Sequence, residues 1–300
     1  MELSNVKEII TPQGNLKKIL RGDVVIWSKK ASDLKYTIWK DGELIDRVTM
    51  SQFVNKIQNG DAQTDYGIGA QIMIPYTDPF NGVTYDCPFN FGTFTQYPGK
   101  LGLQTHYALP SKAVSYGANA RQNSTQKYFQ CYWKNSYMYN WLNTKGVVSN
   151  TNYGSKINGF LSCIPEDFIS ALQTISFMST DCKFFLLTNT QSCANTENAT
   201  RYVTASQPDF EGEVWEYWQN RIGTPQEYYA TDTNRIIYSI ANQSEAVAIT
   251  TASVLYRKSY TKNGVHYDPA YYQYGFDKSG KSKNVSADTK NYYQPACVIG

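Results

Sequence analysis

The sequence predicts an α+β fold in which short strands and long loops outweigh the helices. From residue 61 onward, short apolar or aromatic runs are broken repeatedly by Gly, Asn, Ser and Asp, a pattern typical of sheets joined by loops. Aromatic residues make up 15% of the 300 residues and charged residues only 18%, which indicates a chain able to bury a substantial core. Helical spacing of apolar residues is confined to a few short stretches.

The first 29 residues predict a small β meander of three strands. Alternating apolar residues run from Val6 to Ile10, from Leu16 to Leu20 and from Val24 to Trp27, with turn-forming residues at both junctions. Three strands are barely stable alone, so we expect this module to pack on a partner or to form a trimer.

Residues 30–60 are predicted to connect the N-terminal module to the main domain. Within them we expect an extended piece at Tyr36 to Trp39, a turn at Asp41-Gly42, and a helix from Met50 to Ile57 that is capped by Thr49 or Ser51.

Residues 61–300 contain no convincing repeat or linker and are treated as one domain. Two stretches in this domain are predicted to be helices. Tyr132 to Leu142 carries Trp133 and Trp141 at helical spacing, and Pro165 to Ile175 places proline in its first turn.

Composition excludes several classes of function. The 28 basic and 25 acidic residues are spread along the chain, so we expect no nucleic-acid partner. The start has no basic region followed by an apolar run, and no stretch reaches the roughly 20 apolar residues of a membrane span. We therefore expect no signal peptide and no membrane insertion.

Metal and cofactor chemistry is not expected either. The six cysteines, at 87, 131, 163, 182, 193 and 297, form no CxxC motif, so we expect most of them to be small buried core residues. The two histidines, His106 and His266, leave little material for a metal site or a Ser/His triad.

Several segments resemble a domain family of unknown function from gut Firmicutes and their phages, related to the C-type-lectin and formylglycine-generating-enzyme fold. The resemblance rests on five landmarks in order: Trp133 to Asn143 with the pattern W-x-x-S-x-x-x-x-W-L-N, Gly159 to Leu161, Lys183 to Leu187, Leu255 to Ser259, and Gln294 to Ile299. It implies a C-type-lectin-like fold of mixed sheets, two flanking helices and long loops, used in diversity-generating retroelements to hold variable residues. The first 29 residues resemble a short β module that begins many phage virion proteins.

The segment from Ser259 to Tyr293 is the candidate binding surface. It contains seven Tyr, three Asn, three Asp and four Ser, a composition that suits a recognition surface because phenols give rigid amphipathic area and small polar groups give adaptable hydrogen bonds. Half-buried strands with alternating tyrosine are the competing interpretation. The candidate ligand-binding residues are Tyr260, His266, Tyr267, Tyr271, Tyr272, Tyr274, Tyr292 and Tyr293.

Three further patterns have structural interpretations that are simpler than their functional ones. Gln207-Pro208-Asp209 resembles the calcium and sugar motif of true C-type lectins, but the companion Trp-Asn-Asp triplet is absent. The acidic run Asp209, Glu211, Glu213 and Glu216 could supply paired carboxylates for glycoside hydrolysis, although a solvated face is the simpler interpretation. Trp215, Tyr217 and Trp218 could stack on sugars but more often such residues form core.

The sequence-based expectation is therefore a phage virion protein, made in the host cytoplasm, that binds a host cell-surface glycan or protein. Residues 1–29 would attach it to other virion proteins of a tail or head fibre, as a homo-oligomer for which we expect a trimer. The alternatives are a bacterial surface or structural protein of the same fold, or an enzyme of the formylglycine-generating branch. That branch would need a copper-binding cysteine pair near its active site, and Cys297 has no obvious close mate in the sequence.

Overall fold

The structure of the protein is a computed structural model that describes part of the chain. The described residues are 6–10, 16–21, 24–28, 34–79, 82–107, 109–110, 133, 136–150, 155–177, 180–187, 191, 213–219, 247–257, 260–262, 265–267, 270–277, 282–286 and 292–300. In residues 6–28 and 247–286, and at 110, 149, 150, 155 and 292, only the backbone is described.

Strands predominate, so the α+β prediction is confirmed. The strands are β1 (Val6–Ile10), β2 (Leu16–Arg21), β3 (Val24–Ser28), β4 (Lys35–Lys40), β5 (Glu43–Thr49), β6 (Gln71–Thr77), β7 (Thr84–Thr93), β8 (Leu101–Thr105), β9 (Leu109–Pro110), β10 (Val147–Asn150), β11 (Ser155–Asn158), β12 (Ile175–Phe177), β13 (Thr180–Cys182), β14 (Phe184–Leu186), β15 (Val247–Arg257), β16 (Tyr260–Lys262), β17 (Val265–Tyr267), β18 (Ala270–Asp277), β19 (Ser282–Ser286), β20 (Tyr292–Tyr293) and β21 (Pro295–Ile299). The helices are α1 (Met50–Gln58), α2 (Asp61–Asp65), α3 (Tyr137–Asn143), α4 (Glu166–Ala171) and α5 (Glu216–Gln219), with a 3₁₀ turn at Phe160–Cys163.

The main scaffold is a seven-stranded antiparallel sheet with the order β14-β21-β8-β7-β6-β4-β5. A separate five-stranded sheet has the order β19-β18-β15-β20-β9, and its β15–β20 pair is parallel. Strand β21 is fully buried and lies between β14 and β8, so the last described strand fills an interior position of the main sheet.

Part of the range expected to form a connector, residues 30–60, belongs to the main sheet. Strand β4 pairs with β5 and also with β6, so residues 34–49 extend the main sheet. The sharp β4–β5 turn uses Asp41 at φ 51° and Gly42 at φ 86°, the backbone angles that a type I′ hairpin requires.

Helix α1 begins at the predicted position because its sequence supplies a complete cap. The Thr49 hydroxyl accepts from the Gln52 amide at 3.3 Å, and the Gln52 side chain accepts from the Thr49 amide at 2.9 Å, which satisfies two amides at the helix start. Met50, Phe53 and Ile57 lie on its buried face, where Phe53 contacts Phe91 of β7 with ring centroids 5.5 Å apart.

One face of the main sheet carries an aromatic core under the helices. Phe89 of β7 contacts Phe168 of α4 and Phe184 of β14, with ring centroids 5.7 and 6.5 Å apart. Phe160 of the 3₁₀ turn contacts Phe184 at 4.9 Å and Trp141 of α3 at 5.5 Å. All of these rings are fully or almost fully buried, so this face is the centre of the hydrophobic core.

Both predicted helices in residues 61–300 exist, but each is shorter than the apolar spacing suggested. Helix α3 begins after Ser136, whose hydroxyl accepts from the Tyr139 amide at 3.0 Å and fixes the start of the helix. Helix α4 ends at Ala171, and Leu172 bridges to Ile299 while Ile175 opens strand β12. Pairing with other strands therefore ends α4 early although its spacing stays helical.

The other face of the main sheet is covered by Trp215 and α5. The indole of Trp215 is fully buried and lies directly over Gly92 of β7 and Gly102 of β8. A Cβ added at Gly92 would lie 2.2 Å from the indole, so the two glycines leave the room that this ring occupies. The prediction that Trp215, Tyr217 and Trp218 are core residues is confirmed.

The N-terminal residues form the predicted meander. Strands β1, β2 and β3 pair antiparallel in sequence order as a sheet of their own. In the described part of the chain, Cys87, Cys163, Cys182 and Cys297 are buried free thiols, as expected, whereas Cys131 and Cys193 lie outside it. None of the described helices is both long and apolar enough to cross a membrane.

The Gly92–Trp215 contact predicts a specific coupling. We expect Gly92→Ala to lower the free energy of unfolding by about 1–3 kcal/mol, because overpacking forces a rigid, buried ring to move. Urea denaturation of Gly92→Ala in the wild-type and the Trp215→Leu backgrounds measures this directly. The alanine should cost much less when leucine replaces the indole; an equal cost in both backgrounds would contradict the contact.

Candidate functional site

The candidate binding segment forms two connected β structures. Strands β16 and β17 make a short hairpin in which Tyr260 pairs with Tyr267 and Thr261 pairs with His266. Strand β18 lies between β15 and β19 in the five-stranded sheet. The structure describes the backbone of these strands, and the register therefore defines which residues are neighbours.

Strand β18 places its tyrosines opposite small polar residues. Tyr272 pairs with Ser286 of β19, and Tyr274 pairs with Asn284 of β19. Residues directly opposite on antiparallel strands lie on the same face of a sheet, as do residues two apart on one strand. Tyr272, Tyr274, Asn284 and Ser286 therefore share one face.

The register extends this face to Tyr292. Ala248 of β15 pairs with both Phe276 of β18 and Tyr292 of β20. Phe276 is two residues from Tyr274, so Tyr292 belongs to the same face as Tyr272 and Tyr274. These three tyrosines with Asn284 and Ser286 are called the tyrosine face.

The opposite face of this sheet contains Tyr293, and here the sequence-based assignment needs correction. Tyr293 pairs with Ile249, which pairs with Gly275, and Tyr271 lies on the same face as Gly275. The Tyr293 side chain is 0% exposed and belongs to the hydrophobic core. Tyr293 is paired with Leu109, which is also buried, so its ring packs in the core.

A buried polar contact joins the two sheets next to Tyr293. The chain passes from β8 to β9 through residues 106–108 and from β20 to β21 through Gln294. The Gln294 side-chain amide donates to the carbonyl oxygens of His106 at 3.1 Å and Thr105 at 3.4 Å, and Gln294 is 0% exposed. Because unpaired buried carbonyls are costly, these bonds hold the two crossings together.

His106 is a structural residue of the same region. Its Nδ1 lies 3.0 Å from the Asn90 side-chain oxygen and 3.1 Å from the Gln71 side-chain nitrogen, and the ring is almost fully buried. Gln71 and Asn90 are paired across β6 and β7, and Asn90 pairs with Gln104 across β7 and β8. This polar cluster was not predicted from the sequence. Its members are single polar residues in mostly apolar strands, and only the strand pairing brings them together.

The structure describes two of the four residues of the acidic run, Glu213 and Glu216. The Glu216 carboxylate accepts from the backbone amides of Phe94 at 2.6 Å and Thr95 at 3.2 Å, so it fixes a turn of the main chain. Glu213 is exposed, as expected for a solvated face. Asp209, Glu211 and the Gln207-Pro208-Asp209 motif lie outside the described residues.

Cys297, the cysteine considered for a copper-binding pair, lies in the middle of β21. It is completely buried, and burial raises the pKa of its thiol well above the usual value. In the described residues, no group of three or more His, Cys, Asp or Glu side chains could hold a metal ion.

Comparison with known proteins adds no relative to this picture. No protein-family model matches the chain, and no curated protein and no solved structure shows significant similarity to it.

The Gln294 contact gives a testable stability difference. We expect Gln294→Met, which keeps the volume but removes the donor, to lower the free energy of unfolding by about 1 kcal/mol because two carbonyls lose this buried donor. The loss is partly offset because the substitution also removes Gln294 Oε1, a buried acceptor with no hydrogen-bond partner among the described residues. The matched control is Gln58→Met at the exposed end of α1, which should change stability little. Equal urea midpoints for the two variants would show that the contact contributes nothing.

Proposed function

We propose that this protein is a binding protein, a C-type-lectin-like display domain carried on a phage particle, and that its tyrosine face contacts a molecule on the host cell surface. The observation that carries the proposal is the β15–β18–β19–β20 register, in which Tyr272, Tyr274 and Tyr292 share the face opposite to the buried Tyr293. The proposal uses no catalytic residue and no cofactor.

The residue types on this face suit recognition. Tyrosine offers a large, rigid, amphipathic contact at a low conformational cost, and neighbouring serine and asparagine residues adapt their hydrogen bonds to the partner. Asn284 and Ser286 are the direct cross-strand neighbours of Tyr274 and Tyr272, so both kinds of contact would lie within one patch.

The support beneath the patch favours binding without rearrangement. Tyr293 and Leu109 belong to the core, and the Gln294 amide ties the adjacent crossings to the main sheet. Anchoring of β20 would limit the conformational freedom that this part of the patch loses on binding, which improves affinity without any additional contact.

The N-terminal meander fits an attachment role. It forms a sheet of its own, and three short strands are near the lower limit for independent stability, so partners would stabilise it further. Attachment to other virion proteins through residues 1–29, as a trimer, would supply those partners. It would also display several tyrosine faces together, so that weak single contacts add up through a high effective concentration.

The direct test measures binding of the labelled full-length chain to intact cells from a panel of gut Firmicutes strains. We expect Tyr272→Ser/Tyr274→Ser/Tyr292→Ser to reduce binding to a responsive strain at least tenfold, because loss of central aromatic contacts typically removes most of the binding energy. The measurement is flow cytometry over a concentration series.

Two half-buried tyrosines outside the patch provide the matched control, Tyr85→Ser/Tyr137→Ser. Binding should survive in this control if both variants keep the wild-type circular dichroism. A folded tyrosine-face variant that still binds as well as the wild type would move the site elsewhere, and absence of binding to any strain would remove the host-adhesion proposal.

The resemblance to variable proteins makes a separate genomic prediction. If the segment is diversified, the locus should contain a near-copy of the coding stretch for residues 259–293 beside a reverse-transcriptase gene. Sequences of the locus from several isolates should differ mainly in that stretch. Uniform codons there, with no template copy, would contradict diversification but would leave binding by the tyrosine face open to the cell assay.

A further inference from the structure

A cleft lies on the second face of the main sheet, beside Trp215. It is bordered by residues 95–97, which follow β7, by strand β12, and by Gln191 and Glu213, and its volume is about 430 Å³. Small-molecule sites in proteins are typically about 300–1,000 Å³. The cleft is therefore large enough for a ligand of one or a few rings.

From this cleft we infer a second binding site, which takes a neutral saccharide. Its lining combines the polar side chains of Thr95, Gln96, Ser176 and Glu213 with Tyr97, Ile175 and Phe177, and Gln191 is almost fully buried at its border.

The lining of the cleft matches hydroxyl groups better than charges. Hydroxyl and amide side chains both donate and accept hydrogen bonds, as sugar hydroxyls do, and a carboxylate accepts from two hydroxyls at once. None of the described lining residues is cationic, which disfavours phosphate and carboxylate ligands. A single exposed carboxylate, that of Glu213, attracts an ammonium group only weakly, so a neutral polyol remains the best match.

The cleft is held open by bonds that do not involve a ligand. The Glu216 carboxylate fixes Phe94 and Thr95 through their amides, and it also accepts from the Thr93 hydroxyl at 3.2 Å. The Gln96 side-chain nitrogen donates to the Glu213 carbonyl, which joins two sides of the cleft. These bonds fix the lining before a ligand arrives, which lowers the entropic cost of binding.

The wall of the cleft is also supported from behind. The Trp215 amide donates to the Gln191 carbonyl at 3.0 Å, and the Trp215 ring meets Tyr97 edge-on with centroids 6.4 Å apart. Tyr97 is half-buried and borders the cleft, with the indole packed against its ring. Aromatic walls beside polar groups are the usual composition of such sites.

The test is saturation-transfer NMR with the full-length chain and a set of soluble probes: glucose, galactose, mannose, N-acetylglucosamine and, as a cationic probe, glucosamine. We expect saturation transfer to at least one neutral sugar. Ser176→Trp should abolish this transfer, because an indole at this exposed position fills the cleft without entering the core.

The matched control is Ser51→Trp on the exposed first turn of α1, which should leave the transfer unchanged. Glu213→Gln provides a second, isosteric variant, and it should weaken the neutral-sugar affinity about tenfold, since hydrogen bonds to charged groups are the stronger ones. Ser176→Trp and Glu213→Gln should both keep the melting temperature of the wild type.

Three results would overturn the inference: transfer to none of the neutral sugars, unchanged transfer in a folded Ser176→Trp variant, or transfer to glucosamine alone. The tyrosine-face triple variant separates the two proposed sites. It should keep the sugar signal even if it loses cell binding, and loss of the sugar signal in that variant but not in Ser176→Trp would assign the sugar to the tyrosine face.

Discussion

The structure depends on the contact between two segments that are far apart in sequence. Each segment leads from one of the two large sheets to the other. At one crossing β8 continues toward β9, and at the other β20 continues into β21. Gln294 lies at the second crossing and donates to carbonyls of the first, and the adjacent Tyr293 and Leu109 are paired and buried. The five-stranded sheet is thus anchored through its β9–β20 edge, and β15, β18 and β19 follow β20 in the strand order.

The main sheet is able to act as an anchor because both of its faces are covered. One face packs aromatic rings of β7 and β14 against α1, α4 and the 3₁₀ turn. The other face has no Cβ at Gly92 and Gly102, and the Trp215 ring fills that space. A sheet packed on both faces is stiff, because close-packed interiors transmit displacement instead of absorbing it. The same indole supports the cleft on that face, so packing and the proposed saccharide site depend on one residue.

Local signals in the sequence were sufficient for much of the fold. The Asp41-Gly42 turn, the capped start of α1 and the three N-terminal strands follow from turn and capping chemistry over a few residues. Signals that depend on distant partners were not readable. The β4–β6 pairing made residues 34–49 part of the main sheet, and the bridge from Leu172 to Ile299 ended α4 before its apolar spacing did. The candidate site follows the same rule. Composition indicated the segment, but only the strand register places Tyr292 and its neighbour Tyr293 on opposite faces of the sheet.

The interior position of β21 has a consequence for how the molecule assembles. Strands β14 and β8 can pair with β21 only after residues 295–299 have been synthesised, and these residues follow both strands in the sequence. While the chain is being synthesised, each of those strands therefore has an unpaired edge of backbone donors and acceptors, the kind of edge on which chains pair with the wrong neighbour. The main sheet therefore becomes continuous only when residues 295–299 insert between β14 and β8.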